Sequence, residues 1–251
     1  MKYRRLPYTE YFINTSEDYT RTGGRTYEID YTAKKYRSGL FRIEHEVNYE
    51  IHYDEERDVI QINFQCTNGF TDWLANVFEF SSRYYRAIDF EDEPLQLRVH
   101  HGWANMYLAV KNEVRGGWKA LHAAHPEAYT EVVGWSLGAG IACLCAQDLN
   151  YNFGVKTYLY TFGSVRPFKY TPLNRDRMLK YFSTICEECF NFADVNDMIT
   201  YLPPFRGFTM INRVNVGTGE KRTVFRLLNP VRYHTHYYIK DLYKDFRDID
   251  N

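Results

Sequence analysis

The chain has 251 residues, of which 45% are hydrophobic and 25% charged, with a formal net charge of −1. That length fits one large α/β domain with a sizeable core, spanning residues 1–251. The near-zero charge excludes the basic footprint of a nucleic-acid binder, and no apolar run is long enough to cross a bilayer, so no transmembrane segment is expected.

Residues 1–40 are polar, charged and rich in tyrosine, and read as a peripheral N-terminal extension. The first eight residues carry basic side chains but no apolar stretch, so no secretory signal is expected and the localisation is read as cytoplasmic. The 5 cysteines, an odd number, fit a reducing compartment better than a disulfide framework. Cys186 and Cys189 form a lone C-x-x-C with no second ligand pair nearby, so they are expected to be free thiols and no metal site is expected.

Residues 47–53 and 59–64 alternate apolar and polar side chains around Asp54-Glu55-Glu56-Arg57-Asp58, the pattern of a hairpin. Phe70, Trp73, Leu74, Val77 and Phe78 follow the i, i+3, i+4, i+7, i+8 spacing of an amphipathic helix. Its apolar face would either pack permanently on the core or move. Residues 103–122 read as a long helix interrupted at Gly116-Gly117. A buried strand at 130–133 and an apolar helix after it flank Ser136. Further along come a strand at 156–162, a helix at 173–184 and a strand at 189–192. A last hairpin is expected from 209–216 and 222–228, turning at Gly217-Thr218-Gly219, with a polar helix after Tyr237. Strands alternating with helices after about residue 100 predict a mainly parallel sheet.

Gly134-Trp135-Ser136-Leu137-Gly138 is a G-x-S-x-G at a strand–helix junction. So sharp a turn leaves no room for side chains at the flanking positions, and glycine there lets Ser136 project from the apex. Gly138 and Gly140 are expected to let the helix sit close to the sheet. A hydroxyl held this way is a candidate nucleophile, although a bystander serine in a glycine-rich turn has the same local pattern. A nucleophilic serine needs a base and an orienting carboxylate. The only histidines after Ser136 are His234 and His236. Asp194 and Asp197 both follow the strand ending near Phe192, and either could also be an ordinary turn residue. The order Ser, Asp, His is the one an α/β-hydrolase sheet uses.

Several motifs then point together. Phe64-Gln65-Cys66-Thr67 followed by Asp72-Trp73-Leu74 is similar to F-R-G-[ST] with a downstream D-W. Val99-His100-His101-Gly102-Trp103 is similar to V-H-x-G-F. His125-Pro126 and the Ser136 segment are similar to H-P and T-G-H-S-L-G-G. Thr161-Phe162-Gly163-Ser164-Val165-Arg166 is similar to T-F-G-x-P-R. The stretch from Asn196 to Pro204 is similar to N-D-x-V-P-x-L-P-P, and His234-Thr235-His236-Tyr237 to H-x-x-Y. Together, and in this order, they make residues 47–242 resemble the class 3 lipase family, the fungal-lipase-like α/β hydrolases.

The resemblance implies an α/β-hydrolase fold, with a mostly parallel central sheet and helices on both faces. It implies a serine hydrolase of carboxylic esters, acting on acylglycerols or related lipids. Alternatives on the same site are a phospholipase, a thioesterase or a short-chain esterase. A non-catalytic binding protein on the same fold is the reading from another class. The nucleophile falls on Ser136, the orienting acid on Asp197 and the base on His234, with His236 the other choice. Oxyanion donors fall on the backbone N–H groups of Leu137 and Thr67. The segment of Phe70, Trp73, Leu74, Val77 and Phe78 occupies the place of the family's lid, which would line an acyl-binding groove. Such chemistry needs no metal or organic cofactor. The expected partners are a lipid or small ester and, transiently, a lipid surface. Four residues depart from the family pattern: Cys66 replaces the glycine before the oxyanion residue, Asn76 the lid-flanking aspartate, Trp135 the histidine before the nucleophile and Ala139 the second glycine after it.

Overall fold

A computed structural model describes residues 32–38, 43–64, 82–84, 98–169, 175–202, 208–209, 213–216 and 234. The expected hairpin is present as strands β2 (Ile43–Asp54) and β3 (Val59–Phe64), paired antiparallel with Asp54 opposite Val59. Its turn is closed by Asp54, whose Oδ1 accepts from the backbone N–H groups of Glu56 (3.1 Å) and Arg57 (3.2 Å). An aspartate is suited to this role because its short carboxylate reaches its own backbone two residues on. Strand β1 (Thr32–Ser38) pairs antiparallel with β2. The last residues of the polar N-terminal extension therefore form an edge strand rather than a detached tail.

From β3 onward the sheet is parallel. Strands β6 (Tyr129–Trp135), β7 (Thr157–Phe162), β9 (Cys186–Asp194) and β11 (Arg213–Val216) follow it, giving a seven-stranded order β1-β2-β3-β6-β7-β9-β11 among the described residues. All residues of β6 after Tyr129 are buried. Near-continuous burial of this kind marks a parallel strand covered on both faces. Side chains alternate across the sheet, so Ile60, Ile62, Val132 and Leu159 point one way into the main apolar core. Gln61, Glu131, Val133, Tyr160, Phe162 and Phe192 point the other way, and they too are buried.

Helices α1 (His101–Ala124) and α2 (Leu137–Phe153) pack on the first of these faces and on each other. Helix α1 buries Trp103, Met106, Tyr107, Val110, Val114 and Trp118, a stripe at helical spacing. The expected interruption at Gly116-Gly117 does not occur. The helix runs through both glycines because Gly117 faces β2, where an added Cβ would meet Ile51 Cδ1 at 2.8 Å. A glycine inside a helix costs about 1 kcal/mol against alanine, and here that cost is set against close helix–sheet packing. Helix α2 ends at Gly154, which adopts φ 69° and donates its N–H to Asn150 O at 2.8 Å.

A buried polar cluster locks α1 to α2. Asp148 accepts from Tyr107 Oη at 2.5 Å, from Arg115 Nε at 2.8 Å and Nη2 at 2.5 Å, and from Asn152 Nδ2 at 2.6 Å. With a buried carboxylate satisfied on both oxygens, removal of Arg115 would leave an uncompensated charge inside the fold.

Helix α3 (Arg175–Ile185) packs on β9 and α2. Strand β9 begins at Cys186 and ends at Asp194, longer at both ends than the apolar run at 189–192. Its pairing with β7 carries it outward, since backbone pairing does not require apolar side chains at the exposed positions.

A second sheet of order β10-β8-β5-β4 is antiparallel, made of β4 (Ser82–Tyr84), β5 (Arg98–His100), β8 (Phe168–Lys169) and β10 (Phe208–Thr209). It corrects the reading of 209–216 as one hairpin strand. Phe208–Thr209 join β8, whereas Arg213–Val216 form β11 and pair in parallel with β9. Alternation within 209–216 reports strand character but not which distant strand supplies the partner. Residues 222–228, and the helix expected after Tyr237, lie outside the described residues.

Candidate active site

The carboxyl ends of β6, β7 and β9 lie side by side, and each contributes to one cluster. Ser136 follows β6 and precedes α2, with φ 57° and ψ −115°. It is one of two non-glycine residues with positive φ among the described residues, the other being Asp58. Such a backbone costs on the order of 1–3 kcal/mol and persists only where the surroundings impose it. They do so here through three contacts. A Cβ on Gly134 would stand 2.5 Å from Gly138 O and 2.7 Å from Ala139 Cα, so the first turn of α2 lies directly against the strand. The Ser136 N–H donates to Phe162 O at 2.8 Å, fixing the turn to β7. Trp103 Nε1 donates to Leu137 O at 3.1 Å, anchoring the helix start to α1. The close approach expected at Gly140 is real, but its partner is α1 rather than the sheet: an added Cβ would lie 2.3 Å from Trp103 Cδ1.

Asp194 and Asp197 take different roles. Asp194 shapes the turn after β9: its Oδ1 accepts from Asn196 N at 2.6 Å and its carbonyl from Asp197 N at 3.2 Å. Asp197 is fully buried. Its Oδ1 accepts from Ile199 N at 2.9 Å, and its Oδ2 lies 2.6 Å from His234 Nδ1. Thr200 Oγ1 donates to the Asp197 carbonyl at 2.8 Å and braces the same turn. One carboxylate oxygen is therefore held by backbone and the other is left for the imidazole.

His234 is 7% exposed. With Nδ1–H donated to Asp197, the ring is in the tautomer that leaves the Nε2 lone pair available. That Nε2 is buried and has no hydrogen bond among the described residues. Two contacts define the ring's position. The Trp135 indole stacks on it at 5.6 Å between centroids with 18° between planes. Gly163, at φ 55°, leaves the space in which a Cβ would stand 2.9 Å from His234 Cε1 and 3.4 Å from Asp197 Oδ2. Gly163 N–H in turn donates to Phe192 O at 2.8 Å, bridging β7 to β9.

Ser136, Asp197 and His234 are thus brought to one corner of the sheet from three segments. Sequence reasoning gave Gly163 and Trp135 no role. Gly163 carried a usable signal, a glycine just past a buried strand, while the stacking of Trp135 depends on a residue 99 positions away and had none. Leu137 begins α2, where its N–H belongs to the unpaired first turn. Thr67 and Cys66, the residues Phe70, Trp73, Leu74, Val77 and Phe78, Asn76 and His236 lie outside the described residues. No group of three or more histidine, cysteine or acidic residues is arranged to hold a metal among the described residues. Cys143, Cys145, Cys186 and Cys189 are free and buried, and burial pushes the thiols of Cys143 and Cys145 well up.

Comparison with known proteins agrees with this fold. The family model described as "Lipase (class 3)" matches residues 61–207. No curated protein sequence matches the chain. Among solved structures, the chain is similar to the triacylglyceride lipase of Rhizomucor miehei, at 21% identity and TM-score 0.60, over 83% of this chain and 78% of that one. It is similar to lipase II from Rhizopus niveus, at 18% identity and TM-score 0.61, over 84% and 81%. It is also similar to a lipase from Rhizopus microsporus var. chinensis, at 18% identity and TM-score 0.60, over 93% and 85%. These likenesses establish the fold, the mostly parallel sheet of an α/β hydrolase. Because the family model spans more than half of its residues, the chain belongs to the class 3 lipases and is a lipase-type serine hydrolase of carboxylic esters.

Proposed function

We propose that Ser136, Asp197 and His234 form the catalytic triad of an enzyme that cleaves acylglycerols or related lipid esters. The observation that carries this reading is the 2.6 Å Asp197–His234 pair beside a serine held at positive φ. Ser136 Oγ attacks the ester carbonyl as His234 Nε2 takes its proton. Asp197 holds the ring and stabilises the imidazolium that forms. The tetrahedral oxyanion is met by the N–H of Leu137, at the positive end of α2, and by that of Thr67. The imidazolium returns the proton to the leaving alkoxide. Water, activated by the same His234, then releases the fatty acid.

The substrate class rests on family membership and on the likeness to the Rhizomucor miehei enzyme, a triacylglyceride lipase. By their spacing in the sequence, Phe70, Trp73, Leu74, Val77 and Phe78 would supply an apolar helix face to line the acyl chain and touch a lipid surface. No helix among the described residues is long and apolar enough to cross a membrane, so such contact is peripheral in this proposal. A single hydrolase domain over 1–251, working in a reducing compartment, fits the free cysteines.

Turnover of a chromogenic ester by wild type and by Ser136→Ala tests the assignment. The expected loss is at least about 10³-fold in kcat. Equal rates would remove Ser136 from the mechanism. A panel of acyl-chain lengths and head groups then tests the substrate, with a preference for long-chain acylglycerols expected over phospholipids, thioesters and short esters.

A further inference from the structure

The residue before the candidate nucleophile is a tryptophan, and its ring lies on the candidate base. Trp135 closes β6 with its side chain on the sheet face opposite α2. Register places it beside Phe162 on β7, which is in turn beside Phe192 on β9. Phe162 and Phe192 stack at 5.4 Å with 20° between planes. The indole thus stands in register with an aromatic pair that bridges β7 and β9, and its ring stacks on the His234 imidazole. Both rings are nearly dry, Trp135 at 9% exposed and His234 at 7%.

Two physical consequences follow. First, an imidazole held by its own Cβ and a single hydrogen bond at Nδ1 keeps some freedom of tilt about χ2, and a flat surface packed against its face reduces it. Gly163 leaves the Cε1 edge the room it occupies, room that any larger residue would take. Second, the face of an indole carries negative quadrupole density. A cation within about 6 Å of it is attracted, the more so when water is excluded. The base becomes such a cation when it accepts a proton. Among the described residues the ionised group in contact with His234 is Asp197. The carboxylate and the indole face then act on the imidazolium from different directions.

We propose that Trp135 is a positioning residue of the hydrolase: buried at the end of β6 beside Phe162, its indole face fixes the plane of the His234 ring and favours the imidazolium formed when Ser136 gives up its proton. This rests on the triad reading. In the step concerned, the Oγ–H bond of Ser136 breaks and the proton passes to His234 Nε2, while the Oγ–carbon bond forms as the carbonyl π bond breaks and its electron pair moves to the oxygen as the oxyanion. No other reactant is needed.

The test is the pH profile of ester turnover by wild type, Trp135→Leu and Trp135→Phe, with Ser136→Ala alongside. Leucine keeps the apolar cover but removes the π face; phenylalanine keeps a smaller one. Trp135→Leu is expected to lose about tenfold in kcat, with little change in KM, and to move the acid limb of kcat/KM to lower pH, since loss of the indole makes the imidazolium harder to form. Trp135→Phe is expected within about threefold of wild type, with its limb in place. A leucine variant with wild-type kcat and limb overturns the proposal, as does a phenylalanine variant as impaired as leucine. If Trp135→Leu does not fold, indole emission of wild type and His234→Gln decides. Emission should titrate across the acid limb in wild type and not in His234→Gln, and identical curves overturn the stacking role. An active Ser136→Ala would instead sink the triad reading itself, so the two failures are distinguishable.

Discussion

The proposed nucleophile and the proposed base of this site are placed in opposite ways. Ser136 is placed by backbone: a glycine at 134 that admits the first turn of α2, a positive φ, and a main-chain hydrogen bond to Phe162. Every part of that device except the Phe162 and Trp103 contacts lies within a few residues of the serine. His234 is placed by side chains and by space: the Asp197 carboxylate, the Trp135 ring and the empty position at Gly163. Those three come from three different strand ends. Backbone devices fail all at once, whereas side-chain devices can be weakened by degrees.

That contrast orders the expected effects. Among substitutions that keep the serine, the largest is at Asp197, where Asn keeps the shape but presents a group that can hold the ring in the wrong tautomer. Asp197→Asn should lower kcat by about 10⁴-fold with an unchanged circular dichroism spectrum. A loss under tenfold would mean that the acid is not Asp197. Next is the elbow itself. Gly134→Ala drives a methyl into Gly138 O and Ala139 Cα, both backbone and unable to yield. It should destabilise the protein by about 3 kcal/mol or more in urea unfolding. A stable, active Gly134→Ala would contradict the steric account of Ser136.

Gly163→Ala comes third and separates the two sides. The added methyl meets the His234 ring edge, and φ 55° is strained for alanine. A loss in kcat of roughly tenfold or more is expected, with stability lowered by only about 1 kcal/mol. Stability loss without kcat loss would show that Gly163 serves the turn and not the base. The smallest effect is at Trp103. Trp103→Phe removes one buried hydrogen bond to Leu137 O and should cost about 1 kcal/mol of unfolding free energy while leaving the pH profile alone.

The same division explains what could be read before the fold was known. The elbow is local, so glycine spacing and a buried strand sufficed to single out Ser136 as a candidate, though not to separate it from a bystander serine. The β2–β3 hairpin was equally legible because both strands and the Asp54 turn are adjacent. The order of Asp197 and His234 after Ser136 was visible, but the residues alone left Asp194 and Asp197 both open, and it was the family resemblance that pointed to Asp197. Both follow the same strand, and only the turn geometry gives one to the backbone and the other to the imidazole. The continuity of α1 through Gly116-Gly117 and the split of 209–216 between two sheets depend on Ile51 and on strand pairing far away in sequence. Trp135 was legible only as a departure from the family's histidine. That its ring covers His234 is a fact of tertiary packing.

The central claim is that serine, acid and base act as one unit. Labelling of the folded protein with a fluorophosphonate, located by mass spectrometry, tests it most directly. The account predicts one adduct, on Ser136, formed by wild type and reduced at least about 10²-fold in rate in both Asp197→Asn and His234→Gln. Labelling elsewhere, or at Ser136 with an undiminished rate in those variants, would contradict it.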